Sequence, residues 1–512
     1  MHLTAGARLK TSRASHGGND RDGGDKNLSH GAYYNPRIRK TLVAIACAAS
    51  ACGPKAPPAR PALPVPPALQ SSVDTILSDP ALARGSWGVL VKSLNRGDTL
   101  YELNAHKLLV PASNMKIATL AAAAETLGWD YTYTTTFRAA GTIANGVLAG
   151  DLIVVGSGDP SLVEADGMAD RVFADWASRL KTAGIRTIDG RIVADDRALG
   201  DDRFGAGWMW DDLVEDYSAG VGALQLNESA VRVTVSPGPS AGASAAVSVA
   251  PFPGALTIDN AVTTVAGGDS SGTGVRARRM PGNARLELSG SIPVGHAPIV
   301  IGVSVDNPTQ FFVDALRAAL IHNGLDVRQS RIPNPESRTT TLFAYKSPPL
   351  STLAVRLMKI SQNQYAETLF RTLGGRDAVL RTLQPWGVQP ADLIQRDGSG
   401  LSRYDLVTPD ALVTILTHVA NDPKLRAPFD ASLPVAGDLG LTNRMKGTAA
   451  EGNARAKTGS MTGVRSLSGY VTAAGGERLV FAIIANNFDA APAAVNAATD
   501  AIVVKLAEFK RP

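Results

Sequence analysis

The sequence predicts an α+β fold: an α/β body interrupted by a long, mostly β insertion. Three observations carry that expectation. Two strand-like runs and an alanine-rich helix open the structured part, between residues 86 and 128. Strands and Gly/Ser/Ala loops then take over, most strongly between residues 228 and 292. Helical periodicity returns after residue 307, and the chain ends on three successive strands and a helix. At 512 residues, with 44% hydrophobic composition, the chain can bury a large core and has room for about two to four domains.

Taken in order, "RIRKTLVAIACAASACGPKAPP" has basic residues (Arg37, Arg39, Lys40), an apolar run from Leu42 to Ala51, and small residues at its end. This is the pattern of a secretory signal, too short to span a bilayer stably. "AASAC" before Gly53 has the form of a lipobox in which Cys52 becomes the lipid-bearing residue, although Ala49 stands where leucine is usual. Cleavage after an A-x-A site and an uncleaved anchor are the alternatives. Cys47 and Cys52 are the only cysteines, so the body is expected to hold no disulfide. A proline-rich spacer, "GPKAPPARPALPVPPAL", follows and is expected to be extended and solvated.

Then come a helix in "ALQSSVDTILSDPAL", strands in "SWGVLVKSL" and "DTLYELNAHKLLV" joined by the turn "NRGD", and the helix that starts at Ser113. Past residue 130, "YTTTFRAAG", "GVLAGDLIVVGSGDPSL" and "GRIVADD" read as strands around a helix in "ADRVFADWASRLKTAG". "NPTQFFVDALRAALIHNGL" and "TLAVRLMKISQNQYAETLFRTLGG" are helical by period. "ARAKTGS", "SLSGYVTA" and "RLVFAIIANN" are strands, and "AAVNAATDAIVVKLAEF" closes the chain as a helix.

Charge excludes one class of partner. Residues 1–40 hold eight Lys/Arg against three acids, which accounts for the whole formal charge of +5. The remaining body is neutral, and nothing in it resembles the clustered cations that would neutralise nucleic-acid phosphates.

The chemistry is expected at Ser113 and Lys116 in "LLVPASNMKIATLAAAAETLG". A serine hydroxyl is a poor nucleophile near neutral pH and needs a base. The seven histidines are scattered along the chain and no G-x-S-x-G elbow is present. A lysine can serve instead when desolvation and nearby positive charge lower its pKa. The i to i+3 spacing puts Lys116 beside Ser113 on one helix face, and the helix N-terminus offers free N–H groups to an oxyanion. S-x-x-K alone is weak, since Ser178 to Lys181 repeats it on an ordinary helix face. S-x-N at Ser361 to Asn363 is weak too, since Ser93 begins another copy. K-T-G at Lys457 to Gly459 occurs once.

In this order the three motifs match the set shared by penicillin-binding proteins and serine β-lactamases. The chain resembles the low-molecular-mass penicillin-binding D-alanyl-D-alanine carboxypeptidase/endopeptidases, in the class with a large insertion between the first two motifs. Ser113 and Ser361 stand 248 residues apart, and "GSGDPSL", "GWMWDDL", "DGSGLSRYDLVTP" and "KTGSMTGVRSLSGYV" agree with it. The resemblance covers about residues 75 to 508. It implies a serine β-lactamase/transpeptidase-like domain at 71–139 and 304–512, after a leader at 1–52 and a linker at 53–70. It also implies an insertion domain at 140–227 and 286–303, with an inner β domain at 228–285.

The resemblance further implies roles. Ser113 would attack the bond between two D-alanines of a peptidoglycan stem peptide, with Lys116 accepting its proton. Ser361 would relay a proton to the leaving amine, and Asn363 would position substrate and Lys116. Lys457 would keep the local potential positive. Thr458 would bind the substrate carboxylate, Gly459 belongs to the same strand, and the N–H groups of Ser113 and Ser460 would hold the oxyanion. β-Lactams would acylate Ser113, and no metal or organic cofactor is required. An insertion carboxylate near the substrate side chain would be Asp195, unless it or its neighbour Asp196 pairs with a surface cation. The accompanying arginine would be Arg403, unless it braces its own loop. Asp397 reads as a turn former in "DGSG". Trp208, Trp210 and Tyr217 are expected as buried aromatics of the insertion rather than a glycan groove. A β-lactamase and a non-catalytic cell-wall-binding lipoprotein are the alternatives, the first opposed by the long interval between motifs.

Overall fold

Strand-forming runs from both ends of the described chain close one sheet in the computed structural model, which describes residues 67–267, 274–328, 339–441 and 443–511. Its five antiparallel strands run in the order Arg455–Met461, Val464–Thr472, Arg478–Asn486, Ser86–Ser93, Thr99–Leu103. Ser86 pairs with Asn486 and Ser93 with Leu479, so the first strand lies against the last. Alternation then sorts the side chains. Val89, Val91, Phe481 and Ile483 pack under the helices Pro67–Leu77 and Pro492–Glu508. Leu90, Ala482 and Ile484 face the opposite layer, which contains Met115–Leu127 and Pro409–Asn421.

Met115–Leu127 is buried on every side from Met115 to Ala124, as expected for a helix that is apolar all round. Its alanines let several neighbouring helices approach closely. That central position is why a lysine in its first turn ends up fully enclosed.

The insertion has its own core. A mixed sheet runs in the order Asp326–Val327, Thr187–Ile188, Val147–Val155, Thr134–Ala144, Thr339–Lys346, with Ile192–Asp195 also pairing Val147–Val155. Helices Met168–Thr182 and Pro308–His322 cover it, with Phe173, Trp176 and Phe312 in ring contact and Trp176 against Phe137 at 4.9 Å. Two three-stranded sheets lie between: Ile299–Ser304, Ala230–Ser236 and Ala246–Ala250 in one, Gly274–Arg278, Arg285–Pro293 and Thr257–Val265 in the other. All described residues belong to one compact unit. Among them, no helix is long and apolar enough to cross a membrane.

Several expected boundaries move. Pro308–His322 and Thr339–Lys346, expected in the body, join the insertion. Phe312, Leu316 and Leu320 belong to the second core, and Lys346 registers on Thr134. Ile299–Ser304 pairs with Ala230–Ser236 and so joins the inner β region. Residues 67–70, expected in the linker, form the first turn of Pro67–Leu77. The helix expected through "SQN" breaks into Leu350–Lys359 and Asn363–Leu373, because Ser361 between them is left-handed at φ +62°. The leader, the rest of the linker and the proposed lipid site Cys52 lie outside the described residues.

Candidate active site

Ser113 sits in a short turn, Ala112–Asn114, that leads directly into Met115–Leu127. Ala112 before it is left-handed at φ +47°, a conformation that costs a non-glycine residue about 1 kcal/mol or more and that tips Ser113 towards the cleft. Lys116 is fully buried, with Nζ 2.9 Å from Ser113 Oγ, 2.6 Å from Asn363 Oδ1 and 2.8 Å from the Ser399 carbonyl. The last two are acceptors only. A neutral amine has two N–H groups and one lone pair; once Asn363 and Ser399 take both hydrogens, the lone pair is left for the Ser113 hydroxyl.

The other two motifs meet here. Lys457, also fully buried, donates to Ser361 Oγ and to the Thr458 carbonyl, each at 2.8 Å. Asn114 Nδ2 donates to the Lys457 carbonyl at 3.1 Å. Arg455–Met461 is an edge strand. Its Ala456 N–H donates outward to Pro434 O. The period of two then turns the N–H groups of Thr458 and Ser460 the same way, towards the cleft. Gly459 permits the approach of strand to nucleophile, since an added Cβ would lie 2.7 Å from Pro111 O and 3.1 Å from Ser113 N.

The insertion braces the second motif. Asn363 Nδ2 donates to Tyr217 O, and Gln364 Nε2 to Gly220 O and Ser229 Oγ, each at 2.7 Å. Arg356, one turn before the break at Ser361, pairs with Glu228 at 2.5 Å. Glu228 lies in a run of three left-handed residues, Asn227, Glu228 and Ser229. Asn227, Glu228 and Arg356 line a cavity of about 400 Å³ that adjoins the cleft through Tyr217, Ser361 and Asn363.

Burial sets the electrostatics. It lowers the Lys116 amine to about 7, against an opposing pull from Asp397, Glu367 and Asp405. Burial, and next the charge of Lys116, push Lys457 well below the usual lysine range. Desolvation is thus the main cause at Lys116. Glu367 is raised to about 7 by burial and then by Asp397. It accepts from the N–H groups of Gly398 and Ser399 at 3.0 and 2.8 Å, which fixes the carbonyl that holds Lys116. Burial and then Asp397 also raise Asp405 well above the carboxylate range.

The cleft, about 270 Å³, is lined by Ser113, Ser361, Asn363, Arg403, Ser460, Asp212 and Tyr217 among others. Arg403 is therefore at the site, and its guanidinium donates to Thr462 O at 2.9 Å. Asp195 is not among the lining residues. Arg197 holds it in a two-pronged ion pair, both contacts 2.8 Å, and lowers its pKa. The insertion carboxylate at the cleft is Asp212, held by the Tyr217 hydroxyl at 2.7 Å. Asp397 is the turn former expected of it, accepting from the N–H groups of Gly400 and Ser402 at 2.6 Å. The aromatics are not core: Trp210 and Tyr217 are exposed, and Trp208 is half-buried with its indole donating to Asp397 at 2.8 Å. Sequence reasoning missed Asp212, although "GWMWDDL" contains it, and it missed Glu367 and Asp405 altogether.

A serine hydroxyl resting on a desolvated lysine, with no histidine lining the cleft among the described residues, defines a serine hydrolase of the lysine-base kind. The model of the D-Ala-D-Ala carboxypeptidase 3 (S13) family matches residues 69–509. A D-alanyl-D-alanine carboxypeptidase of Actinomadura sp. is 36% identical over 468 residues, 86% of this chain and 85% of the relative. The D-alanyl-D-alanine carboxypeptidase DacB of Haemophilus influenzae is 27% identical over 419 residues, 78% of this chain and 85% of the relative. The crystal structure of penicillin binding protein 4 from the same organism superposes with a TM-score of 0.72 at 25% identity, covering 85% of this chain and 99% of that one. A second crystal structure of that protein, complexed with a β-lactam, superposes at 0.68 and 23% identity, covering 86% of this chain and 99% of that one. The chain belongs to the D-Ala-D-Ala carboxypeptidase 3 (S13) family, and its activity class is that of a serine-type D-Ala-D-Ala carboxypeptidase.

Proposed function

We propose that the enzyme hydrolyses the D-Ala-D-Ala bond of peptidoglycan stem peptides through an acyl-enzyme on Ser113. The observation that carries this reading is the buried Lys116 amine 2.9 Å from Ser113 Oγ, lowered to about 7. Ser113 Oγ attacks the carbonyl of the penultimate D-alanine and its proton passes to Lys116 Nζ. The tetrahedral oxyanion lies between the N–H groups of Ser113 and Ser460, each donor contributing about 3 kcal/mol in such sites. Thr458 receives the terminal carboxylate beside Lys457. That anion favours the charged form of Lys457, and the new charge in turn disfavours protonation of the neighbouring Lys116. As the C–N bond breaks, Ser361 relays to the leaving amine the proton that Lys116 took from Ser113, so Lys116 is neutral again and Lys457 keeps its charge. Water, activated by Lys116, then releases the shortened peptide and frees Ser113.

Asp212 and Arg403 take the polar side chain of the stem residue, in place of the expected Asp195. Cleavage of crosslinks follows the same route, with the amine of a second peptide as leaving group. β-Lactams acylate Ser113 because their strained amide presents the same carbonyl and carboxylate; the Haemophilus protein has been crystallised with one. The leader motif and the proline-rich spacer support a periplasmic enzyme tethered by a lipid on Cys52.

Release of D-alanine from a D-Ala-D-Ala-terminated pentapeptide tests the reading. Release that vanishes in Ser113→Ala and Lys116→Ala is expected. An intact Ser113→Ala activity would refute it. With a fluorescent penicillin, a lasting label supports the peptidase; rapid turnover would point to a β-lactamase, and no label to a non-catalytic binder.

A further inference from the structure

Large apolar side chains concentrate on one lip of the cleft. Phe204, Met209, Trp210, Tyr217 and Tyr404 are all exposed, Trp210 at 55% and Tyr404 at 63%. Isolated exposed aromatics are ordinary, but a contiguous group marks a binding surface. The group is contiguous with the site. Tyr217 lines the cleft, Trp210 lies two residues from the lining carboxylate Asp212, and Tyr404 follows Arg403.

The lip is also rigid. Tyr404 lies over Gly207, which is left-handed at φ +84°; a Cβ there would fall 2.6 Å from the ring, so only glycine leaves the ring its place. Ser402 Oγ donates to Ala206 O at 2.6 Å, joining the catalytic loop to the insertion across the lip. Phe204 packs on Trp208 at 6.1 Å, and Trp208 is anchored to Asp397. Tyr404, held in this way, loses little freedom when a ligand covers it. The same segment of chain carries the exposed carboxylates of Asp201, Asp202 and Asp211, which can accept from hydroxyl groups.

We propose that this lip is a glycan-binding platform, on which Trp210 and Tyr404 stack against the sugar faces of the strand whose stem peptide enters the cleft. The proposal rests on the stem-peptide reading of the cleft. The occupant follows from continuity: a stem peptide is covalently joined to its glycan, and at about 3.4 Å per extended residue the sugars must stay near the cleft mouth. A sugar presents an apolar ring face for the aromatics and hydroxyls for the carboxylates. An anionic membrane surface would be repelled by the same carboxylates.

The test compares wild-type full-length protein with the double variant W210A/Y404A on two substrates, the free pentapeptide and the same pentapeptide carried on uncrosslinked glycan strands. The wild type is expected to show a lower KM for the glycan-borne substrate. The variant is expected to lose that advantage by about tenfold, the scale of two lost aromatic contacts, with kcat/KM for the free peptide unchanged. W210F/Y404F should restore part of the advantage, and peptide-free glycan strands should compete with the glycan-borne substrate only. Equal KM values for the two substrates in the wild type, or an unaltered advantage in W210A/Y404A, would overturn the platform. Absence of D-alanine release from either substrate by the wild type would instead overturn the reading of the cleft.

Discussion

Gly459→Ala isolates the contact between the K-T-G strand and the nucleophile. Its backbone conformation suits any residue, so the effect is purely steric. The new methyl would stand 2.7 Å from Pro111 O and 3.1 Å from Ser113 N, and it would overlap Ser466 Oγ. Ordinary contact begins at 3.4 Å, so the segment carrying Ser113 must retreat by roughly 0.7 Å, or the strand must bow outward. Overpacking of this kind costs about 1–3 kcal/mol of stability. Misplacement by about 1 Å can cost a hundredfold in rate, so acylation by a fluorescent penicillin should slow by about ten- to a hundredfold. Stopped-flow labelling reads the rate and thermal melting the stability. Adding Ser466→Ala removes the overlap with the hydroxyl but not the clash with Pro111 O, and should restore only part of the rate. A Gly459→Ala enzyme that is acylated at the wild-type rate would refute the idea that this close approach sets the geometry of the nucleophile.

Four further outcomes are expected. The acylation rate constant should rise with pH through about 7 and level off above it, because the active form of Lys116 is the deprotonated one and its amine is lowered to about 7. A rate that falls as pH rises through 7 would contradict this. Glu367→Gln keeps an acceptor for the N–H groups of Gly398 and Ser399 but removes a charge that raises Lys116; the half-maximal pH should move down, and an upward shift would count against the assignment. Lys116→Arg imposes a permanent charge and cannot accept the serine proton, so acylation should fall by about 10² to 10⁴ while the fold melts cooperatively. Glu228→Gln should lower stability by about 1 kcal/mol, the scale of a part-exposed ion pair, and slow acylation as well, since Arg356 sits on the helix that delivers Ser361. Unchanged kinetics would show that this brace does not position the motif.

Much of the fold was legible because it depends on short periods. The C-terminal strands and the apolar helix after Ser113 carry their signals within a dozen residues. The division between body and insertion was less so. Pro308–His322 is amphipathic, and nothing in its period says which of two cores its apolar face will meet; Phe173 and Trp176, over 130 residues earlier, decide it. The break at Ser361 was hidden because helical period continues on both sides of it, and a left-handed serine carries no sequence signature. The three motifs could be read because each is local and their order is distinctive. The cleft carboxylate could not be read from the pair Asp195 and Asp196: Arg197 is close enough in sequence to neutralise the first, whereas Asp212 reaches the cleft through a turn that tertiary contacts fix. Glu367 and Asp405 lie on a helix and a loop whose meeting behind Lys116 is set by packing alone.

The claim on which the chemistry depends is that Ser113, and no other residue, carries the acyl group. Intact-mass measurement after incubation with benzylpenicillin, followed by peptide mapping, tests it directly. One adduct per chain on the peptide containing Ser113, absent in Ser113→Ala, is the predicted result. An adduct that persists in Ser113→Ala, or that maps to Ser361, would contradict it.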